Sequence, residues 1–250
     1  MKYFTIPRIS FAFFLMLASC SNKSDLGIFE GQGDIGLVGQ QGSLSYDPST
    51  DSYEVTGGGT NMWFDSDQLH FVWKQMEGDL SLAADIVWVG EGVDMHRKAC
   101  LIIRQDLDTA SVYVDVAVHG DGLTSMQFRD SQGGMTREIQ SDVSAPRRVL
   151  IEKRGDYFSM YLSDGDDEPS FAGGSLRLAM SEPFYVGLGV SAHNNNVLET
   201  AKFSNVMISN PEIAPDSLQK VQSTLETIDI ASFNRRVIYH TDKHIEAPNW

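Results

Sequence analysis

GGGTNMWFDSDQLHFVWKQMEGDLSLAADIVWVGEGVDMHRKACLII occupies residues 57–103 and contains three of the four tryptophans. Its clearest pattern lies in residues 79–89, where two aspartates and a serine fall on one parity. The other parity is apolar and carries Leu80, Leu82, Ala84, Ile86 and Trp88. A period of two is typical of a β-strand with one face on a core. Glycine turns on both sides of this strand predict further strands before and after it.

The same period of two recurs up to residue 209. In residues 111–119 four valines alternate with Tyr, Asp, Ala and His, and residues 148–154 and 157–163 flank the hairpin signal Gly155-Asp156. Ten or more short strands with almost no helical periodicity predict an all-β antiparallel sandwich or barrel. Several strands have one aliphatic face and one face with Tyr, Arg, Gln, His and Gly. A sandwich whose sheets each have one packed face would give this pattern.

Composition narrows the classes of partner. A chain of 250 residues has room for one large β domain with extensions. It has 34 acidic and 19 basic residues, a net charge of -15, which argues against binding nucleic acid through its phosphates. Cys100 lies in an apolar run, so we predict a buried, inert thiol.

The first residues are predicted to be a leader and not part of the fold. Lys2 and Arg8 precede a short apolar run that ends in Leu17-Ala18-Ser19-Cys20. This run is too short to span a membrane and is typical of a signal peptide. It resembles a bacterial lipoprotein signal with its lipobox. The resemblance implies cleavage before Cys20 and acylation of its sulfur, which would tether the domain to membrane lipid. The alternative is a plain secretory signal with an incidental cysteine.

The leader also predicts a location. Ser21 follows the cysteine, and the absence of Asp there favours the outer membrane over retention at the inner membrane. We therefore expect a lipid-anchored protein of the bacterial cell envelope, either periplasmic or surface-exposed. The predicted domains are a signal peptide over 1–19, a tether over 20–27, a sandwich over 28–209, a linker over 210–219 and a tail over 220–250.

Several short pieces, taken in order, resemble bacterial concanavalin A-like, laminin-G-like sandwich domains. They are Gly57-Gly58-Gly59-Thr60-Asn61-Met62-Trp63, Gly78-Asp79-Leu80, Ile102-Ile103-Arg104, Tyr161-Leu162-Ser163-Asp164-Gly165 and Val186-Gly187-Leu188-Gly189-Val190-Ser191-Ala192-His193. The resemblance covers residues 28–209. It implies a jelly-roll sandwich of two antiparallel sheets, non-catalytic and serving as a glycan-binding or accessory module.

The tail carries a second resemblance. Arg236-Val237-Ile238-Tyr239 and Glu246-Ala247-Pro248-Asn249-Trp250 resemble the entry to a TolB-type β-propeller. Because a propeller repeat cannot bury its faces without neighbouring blades, we expect this incomplete start of a propeller to be poorly anchored.

The sequence contains no catalytic signature. Glycoside hydrolysis needs two carboxylates held about 5 to 10 Å apart, and no Glu-x-Asp-x-x-Glu motif is present. No nucleophile elbow surrounds Ser191, which stands near His193. The sequence therefore predicts no enzyme.

Metal binding has weak support. The six histidines are scattered without a metal-ligating spacing, so no metal site and no cofactor are predicted. The acidic loops at residues 65–67 and 164–168 leave calcium open as an alternative to solvated turns.

A glycan site would need aromatic faces for the sugar ring and polar groups for its hydroxyls. The predicted ligand-binding residues on the polar sheet face and its rim are Trp63, Trp73, Tyr113, Gln127, Arg129 and His193. For Trp63 and Trp73 the alternative is packing under a loop or in the core. Arg104 is expected to pair with a carboxylate.

Three hypotheses follow from the sequence. The first is a lipid-anchored envelope protein whose sandwich binds a glycan or another extracellular polymer. The second is a structural or protein-interaction module that accompanies a propeller and binds an envelope protein. The third and weakest is a polysaccharide hydrolase or lyase.

Overall fold

A computed structural model describes residue 1 and residues 25–165, 167–211 and 222–245. This part of the chain contains sixteen β-strands and no helix. No helix in it is therefore long and apolar enough to cross a membrane. The prediction of an all-β fold is confirmed. The signal peptide, Cys20 and most of the predicted linker lie outside the described residues.

The strands form two sheets. Nine strands follow the order β1-β4-β13-β6-β7-β8-β9-β16-β15, and seven follow the order β12-β11-β10-β5-β14-β3-β2. Every pair is antiparallel except β9 with β16. The strand bounds are β1 Gly31–Ile35, β2 Ser43–Asp47, β3 Ser52–Gly57, β4 Leu69–Met76, β5 Leu80–Val89, β6 Lys98–Arg104, β7 Tyr113–His119, β8 Thr124–Arg129, β9 Arg137–Gln140, β10 Arg148–Arg154, β11 Tyr157–Ser163, β12 Ser170–Arg177, β13 Phe184–Ser191, β14 Glu199–Ser209, β15 Ser223–Ile228 and β16 Arg235–Thr241.

The main core lies between the two sheets and follows the alternation read from the sequence. On β5 the buried apolar residues include Leu82 and Ala84, and on β7 they include Val114 and Val116. Burying such aliphatic side chains contributes about 1.5–3 kcal/mol each, before the entropy of ordering the chain is subtracted. The predicted hairpin of residues 148–154 and 157–163 is β10 and β11.

A second, smaller core lies on the outer face of the nine-stranded sheet. The segment between β3 and β4 folds across this face and buries Met62 against it. Cys100, Ile102, Tyr113 and Ala117 project from β6 and β7 into the same cluster. Cys100 is fully buried and unpaired, as predicted, and burial raises the pKa of its thiol well above the usual value. This segment therefore closes part of the face that the sequence assigned to ligand.

The expectation of a poorly anchored tail is wrong for its described part. Strand β16 pairs with β9 and extends the nine-stranded sheet. Val237 is 1% exposed and packs on Gly173, where an added Cβ would lie 2.7 Å from a Val237 methyl carbon. Arg235 donates to Glu226 at 2.6 Å and to the Ser175 carbonyl at 3.1 Å. The pairing and this contact hold the tail on the sandwich. The propeller resemblance remains a prediction from sequence.

Candidate functional site

The outer face of the nine-stranded sheet is divided into a closed part and an open part. The closed part is the second core, and its polar centre is Asp67. One Asp67 oxygen lies 2.7 Å from Arg129 Nη2, and the other lies 2.9 Å from Arg129 Nη1 and 3.4 Å from Arg104 Nη2. All three side chains are fully buried. A bidentate carboxylate between two guanidinium groups fixes the loop onto the sheet.

We call Asp67, Arg104 and Arg129 the clamp. Two of the residues predicted to bind ligand lie in or beside it and are not available to a ligand. Arg129 donates to Asp67 and to the backbone carbonyls of Trp63, Phe64 and Gly134, so it has no surface for a ligand. Tyr113 is fully buried, and its hydroxyl lies 3.1 Å from the Thr136 hydroxyl. Arg104 pairs with a carboxylate, as expected. That carboxylate is Asp67, which lies in the loop between β3 and β4 and not on a strand of the sheet.

Trp73 is also separate from the open part of the face. It is partly buried, with its ring centroid 5.6 Å from that of Phe71 and 6.3 Å from that of Tyr185. Its indole also lies against Gly31, where an added Cβ would be 2.8 Å away. Trp73 therefore packs between strands, which is the alternative that the sequence left open.

The open part contains a cavity of about 330 Å³. It brings together three of the predicted binding residues, Trp63, Gln127 and His193. The ionisable side chains that line it are His96, Lys98, His119, Glu138 and His193. The cavity therefore gathers groups capable of proton transfer beside one aromatic ring and several amides.

Strand pairing explains how distant residues meet here. Lys98 opens β6, and its register partners are Ser191 at the end of β13 and His119 at the end of β7. Gln127 on β8 pairs with Glu138 on β9. The cavity thus lies where neighbouring antiparallel strands end, together with the loops that follow them.

Lys98 forms the floor of the cavity. Its ammonium donates to Asn61 Oδ1 and to the Met62 carbonyl, both at 2.9 Å, and lies 5.1 Å from the Trp63 ring centroid. An ammonium has three N–H groups, so one remains for a ligand. Burial lowers the Lys98 pKa, and the charge of Asp115 opposes this. The loop that carries Asn61 and Met62 thus also orients the cation.

Asp115 lies on the same face as Lys98 and is fully buried. Neither of its carboxylate oxygens has a hydrogen-bond partner among the described residues. Burial raises the pKa of Asp115 to about 7, and the charge of Lys98 limits the rise. A carboxyl group that is partly protonated at neutral pH therefore lies close to the cation.

The tautomer of His119 is set by its neighbours. Nδ1 lies 2.9 Å from the Leu123 carbonyl, which can only accept, so Nδ1 carries the proton. Nε2 lies 3.4 Å from the amide nitrogen of Gln127 and is left as the acceptor. Burial lowers the pKa of His119 to about 4. The imidazole is therefore neutral at physiological pH and presents an acceptor nitrogen.

His193 and Asp94 form a carboxylate–imidazole pair at the rim. Nδ1 of His193 lies 3.3 Å from Asp94 Oδ1, and both side chains are about 30% exposed. The backbone N–H of His96 donates to Asp94 at 2.8 Å, and this bond together with His193 lowers the pKa of Asp94. Nδ1 of His193 makes no hydrogen bond to the described residues, so Asp94 acts on the ring as a nearby negative charge. His193 adopts a left-handed backbone (φ 55°), a conformation that concentrates at functional sites.

The opposite pKa shifts of His119 and Asp115 predict two opposing pH dependences of stability. In the unfolded chain His119 takes up a proton near pH 6.5, but in the folded chain only near pH 4. The folded state therefore loses stability relative to the unfolded state as pH falls from 6.5 to about 4. Asp115 stays protonated up to about pH 7 in the folded chain but only up to pH 3.8 in the unfolded chain. Its contribution to the stability of the folded state is therefore lost as pH rises from 3.8 to about 7. Each amounts to about 3–4 kcal/mol at 1.36 kcal/mol per unit.

We therefore expect single variants to reveal one dependence each. Compared with the wild type, His119→Gln should lose stability as pH rises from 4.5 to 6.5, and Asp115→Asn should gain it. Urea unfolding at both pH values measures this. Equal pH slopes in all three proteins would contradict the assignment.

Sequence reasoning missed His96, Lys98, Glu138, Gln140 and Asp94 as site residues. It placed His119 on the polar face without selecting it. A usable signal was present on β7 and β8, where alternation puts His119 and Gln127 on one face. His96 and Asp94 lie in the loop before β6, and only the pairing of β6 with β13 brings them to His193.

The acidic loops give no clear metal site. Asp67 is occupied by the two arginines, and Asp166 lies outside the described residues. Within residues 25–165, 167–211 and 222–245, no three His, Cys, Asp or Glu side chains are arranged to hold a metal ion. Calcium binding remains a prediction from sequence.

Comparison with known proteins identifies the fold. No family model matches the chain, and no curated protein does. Among solved structures, a functionally unknown protein from Saccharomyces cerevisiae has 11% identity and a TM-score of 0.54 over 68% of this chain and 92% of its own. The chain has the two-sheet jelly-roll sandwich fold.

Two more distant structures are carbohydrate-related. A family 7 alginate lyase in complex with substrate has 10% identity and a TM-score of 0.46, covering 69% of this chain and 83% of that one. A prokaryotic β-1,3-1,4-glucanase from a mouse hindgut metagenome has 8% identity and a TM-score of 0.42, covering 68% and 83%. The two largely antiparallel sheets around one core agree with the sandwich that the concanavalin A-like resemblance implied.

The expectation that the protein is not an enzyme is corrected. The similar solved structures include alginate lyases and a glucanase. The cavity also contains groups for acid–base chemistry that linear motifs do not reveal, because these groups come from three strands and two loops.

Proposed function

We propose that the protein is a polysaccharide-active enzyme, with substrate bound in the cavity over Lys98 and a proton transferred by the Asp94–His193 pair. The observation that carries the proposal is the gathering of three histidines and a buried lysine around one cavity, with a carboxylate behind His193. Histidine is the side chain most often used for proton transfer. The Asp94 carboxylate lies 3.3 Å from Nδ1 of His193 and would stabilise a positive charge on the ring. Trp63 offers a sugar-stacking face at the rim.

The donor set favours elimination over hydrolysis. Hydrolysis uses a carboxylate pair about 5 to 10 Å apart, whereas Glu138 is the single carboxylate among the described residues lining the cavity. Elimination in a uronic acid unit needs a base for the proton beside its carboxylate and a cation or amide for that carboxylate. The glycosidic oxygen then leaves from the neighbouring carbon and takes up a proton. His193 can serve as the base and, once protonated, return that proton to the leaving glycosidic oxygen. Lys98 can hold the charge of the carboxylate.

The net charge of -15 bears on how such a substrate arrives. A negative protein slows the approach of a polyanion at long range. Salt screens charges separated by more than about 8–10 Å at physiological ionic strength. We therefore expect binding of a polyuronate to improve on going from very low to moderate salt.

The deciding experiment is turnover by the full chain. Alginate and polygalacturonate are offered beside the neutral polymers laminarin and lichenan. Elimination is expected to give the ultraviolet absorbance of an unsaturated sugar with the acidic polymers only. New reducing ends without that absorbance would replace elimination by hydrolysis, and no turnover of any of the four would overturn the proposal.

We further propose that the enzyme is anchored by acylated Cys20 to the outer membrane of a bacterial envelope. The support is the lipobox-like sequence Leu17-Ala18-Ser19-Cys20 and Ser21 after it. A lipid anchor holds a soluble domain at a membrane surface without a spanning helix.

Cys20→Ser should abolish this anchoring. Expressed in a bacterium, the wild type is expected in the detergent-rich phase on Triton X-114 separation and to incorporate labelled fatty acid. Cys20→Ser should lose the label entirely. Cys100→Ser is the matched control and should retain it, because Cys100 is buried. Label in Cys20→Ser equal to that of the wild type would contradict the anchor.

A further inference from the structure

The histidine cavity continues onto the tail. A second cavity of about 250 Å³ shares Glu138 and Gln140 with the first. Its remaining lining comes from β15, β16 and the turn between them, and consists of Thr227, Asp229, Ser232, Asn234, Arg235 and Arg236. An open surface therefore runs from the ends of β6 and β7, across β9, to β16.

Both tail arginines line the second cavity, and the strand register and the side-chain partners show which of them is available to a ligand. Arg236 is opposite Gln140, which lines both cavities, and Arg235 is opposite the buried Ile139. The side chain of Arg235 is held by Glu226 and by the Ser175 carbonyl on β12. Arg236 is exposed, and its side chain has no hydrogen bond or ion pair with any residue in the described ranges. One cation is therefore available at the far end of the groove.

We propose that β15 and β16 form the outer part of the glycan-binding groove, and that Arg236 binds a carboxylate of the polyuronate chain whose reacting unit occupies the histidine cavity. This rests on the proposed function. A planar guanidinium with several N–H donors matches a carboxylate. Four strand spacings separate β6, which carries Lys98, from β16, about 19 Å at about 4.8 Å each. Only a chain of several sugar units can reach both ends.

Chain length is therefore the variable that tests the proposal. Binding of galacturonate and alginate oligosaccharides, from disaccharides to octasaccharides, is measured by isothermal titration calorimetry with the full chain. Methyl-esterified oligogalacturonates provide the same sugars without charge. Arg236→Gln is compared with Arg177→Gln, an exposed arginine on β12 of the other sheet that pairs with Asp156. Both variants remove one positive charge.

The expected result is a selective loss. Arg236→Gln should weaken binding of the charged octasaccharides about tenfold, as for loss of one charge-assisted hydrogen bond. It should leave the disaccharides and the methyl esters unchanged, and Arg177→Gln should behave as the wild type.

Three outcomes would overturn the proposal. Wild-type affinity of Arg236→Gln for long charged chains would remove Arg236 from the groove and leave the proposed function standing. An equal loss for disaccharides would show that Arg236 acts through the fold of the cavity. If the wild type binds neither polyuronate, the proposed function fails together with this inference.

Discussion

Replacing Asp67 by alanine should lower the free energy of unfolding by about 3–5 kcal/mol, because it leaves two buried guanidinium groups without their counter-charge. Arg104 and Arg129 are fully buried, and Asp67 is the carboxylate that contacts both. Arg129 would keep its bonds to backbone carbonyls, but these are neutral acceptors. The loss should appear as a lower urea midpoint with little change in slope.

Asp65→Ala is the matched control for this change. Asp65 lies two residues away in the same loop and is exposed, so its removal should leave stability nearly unchanged. A loss in Asp67→Ala no larger than in Asp65→Ala would show that the clamp does not hold the loop.

The clamp also connects stability to the site. The loop it fixes supplies Asn61 Oδ1 and the Met62 carbonyl to Lys98 and places Trp63 beside the cavity. Loosening the loop should therefore weaken ligand binding even though Asp67 does not line the cavity.

The strands could be predicted because their cause is local. Alternation in residues 111–119 and the Gly155-Asp156 turn specify which residues face the core whatever the strand order. The closed part of the outer face could not be predicted in this way. Tyr113 and Arg129 have the same parity as Gln127 and differ from it only in lying beneath a loop whose path depends on a contact between residues 67 and 129.

The docking of the tail on the sandwich also could not be predicted from the sequence. Its prolines and its propeller-like motif suggested a separate, unsupported segment. Its docking depends on a small residue, Gly173, that leaves room for Val237. Pairing with β9 also satisfies part of an otherwise open sheet edge, which natural proteins tend to cover. Neither cause is visible near the tail in the sequence.

Only part of the candidate site could be predicted from the sequence, because the rest depends on the strand order. Trp63, Gln127 and His193 were selected as single residues suited to a sugar, and the structure places all three at one cavity. Their relation to His96, Lys98 and Asp94 depends on the strand order β13-β6-β7. Strand order is a property of the whole fold, so acid–base chemistry could not be read from spacing.

Removing the imidazole of His193 should reduce kcat/KM on the polyuronate substrate by about 10²–10⁴-fold, the usual contribution of a positioned acid–base group. Asparagine is the best replacement, because His193 has a left-handed backbone (φ 55°) that asparagine tolerates. His193→Asn should therefore fold as the wild type and bind oligosaccharide, while turnover is lost. The measurement is the initial rate of unsaturated product formation.

Asp94→Asn tests the role of the carboxylate in the same assay. Asp94→Asn removes the negative charge 3.3 Å from Nδ1, which would stabilise the positive charge that develops on His193 as it takes the substrate proton, so kcat/KM should fall. His240→Asn is the matched control, since His240 is 3.8 Å from Asp142 and lies outside the cavity lining. An unchanged rate in His193→Asn, or a loss of equal size in His240→Asn, would exclude the Asp94–His193 pair as the proton-transfer group and leave Lys98 and His119 as the groups to test.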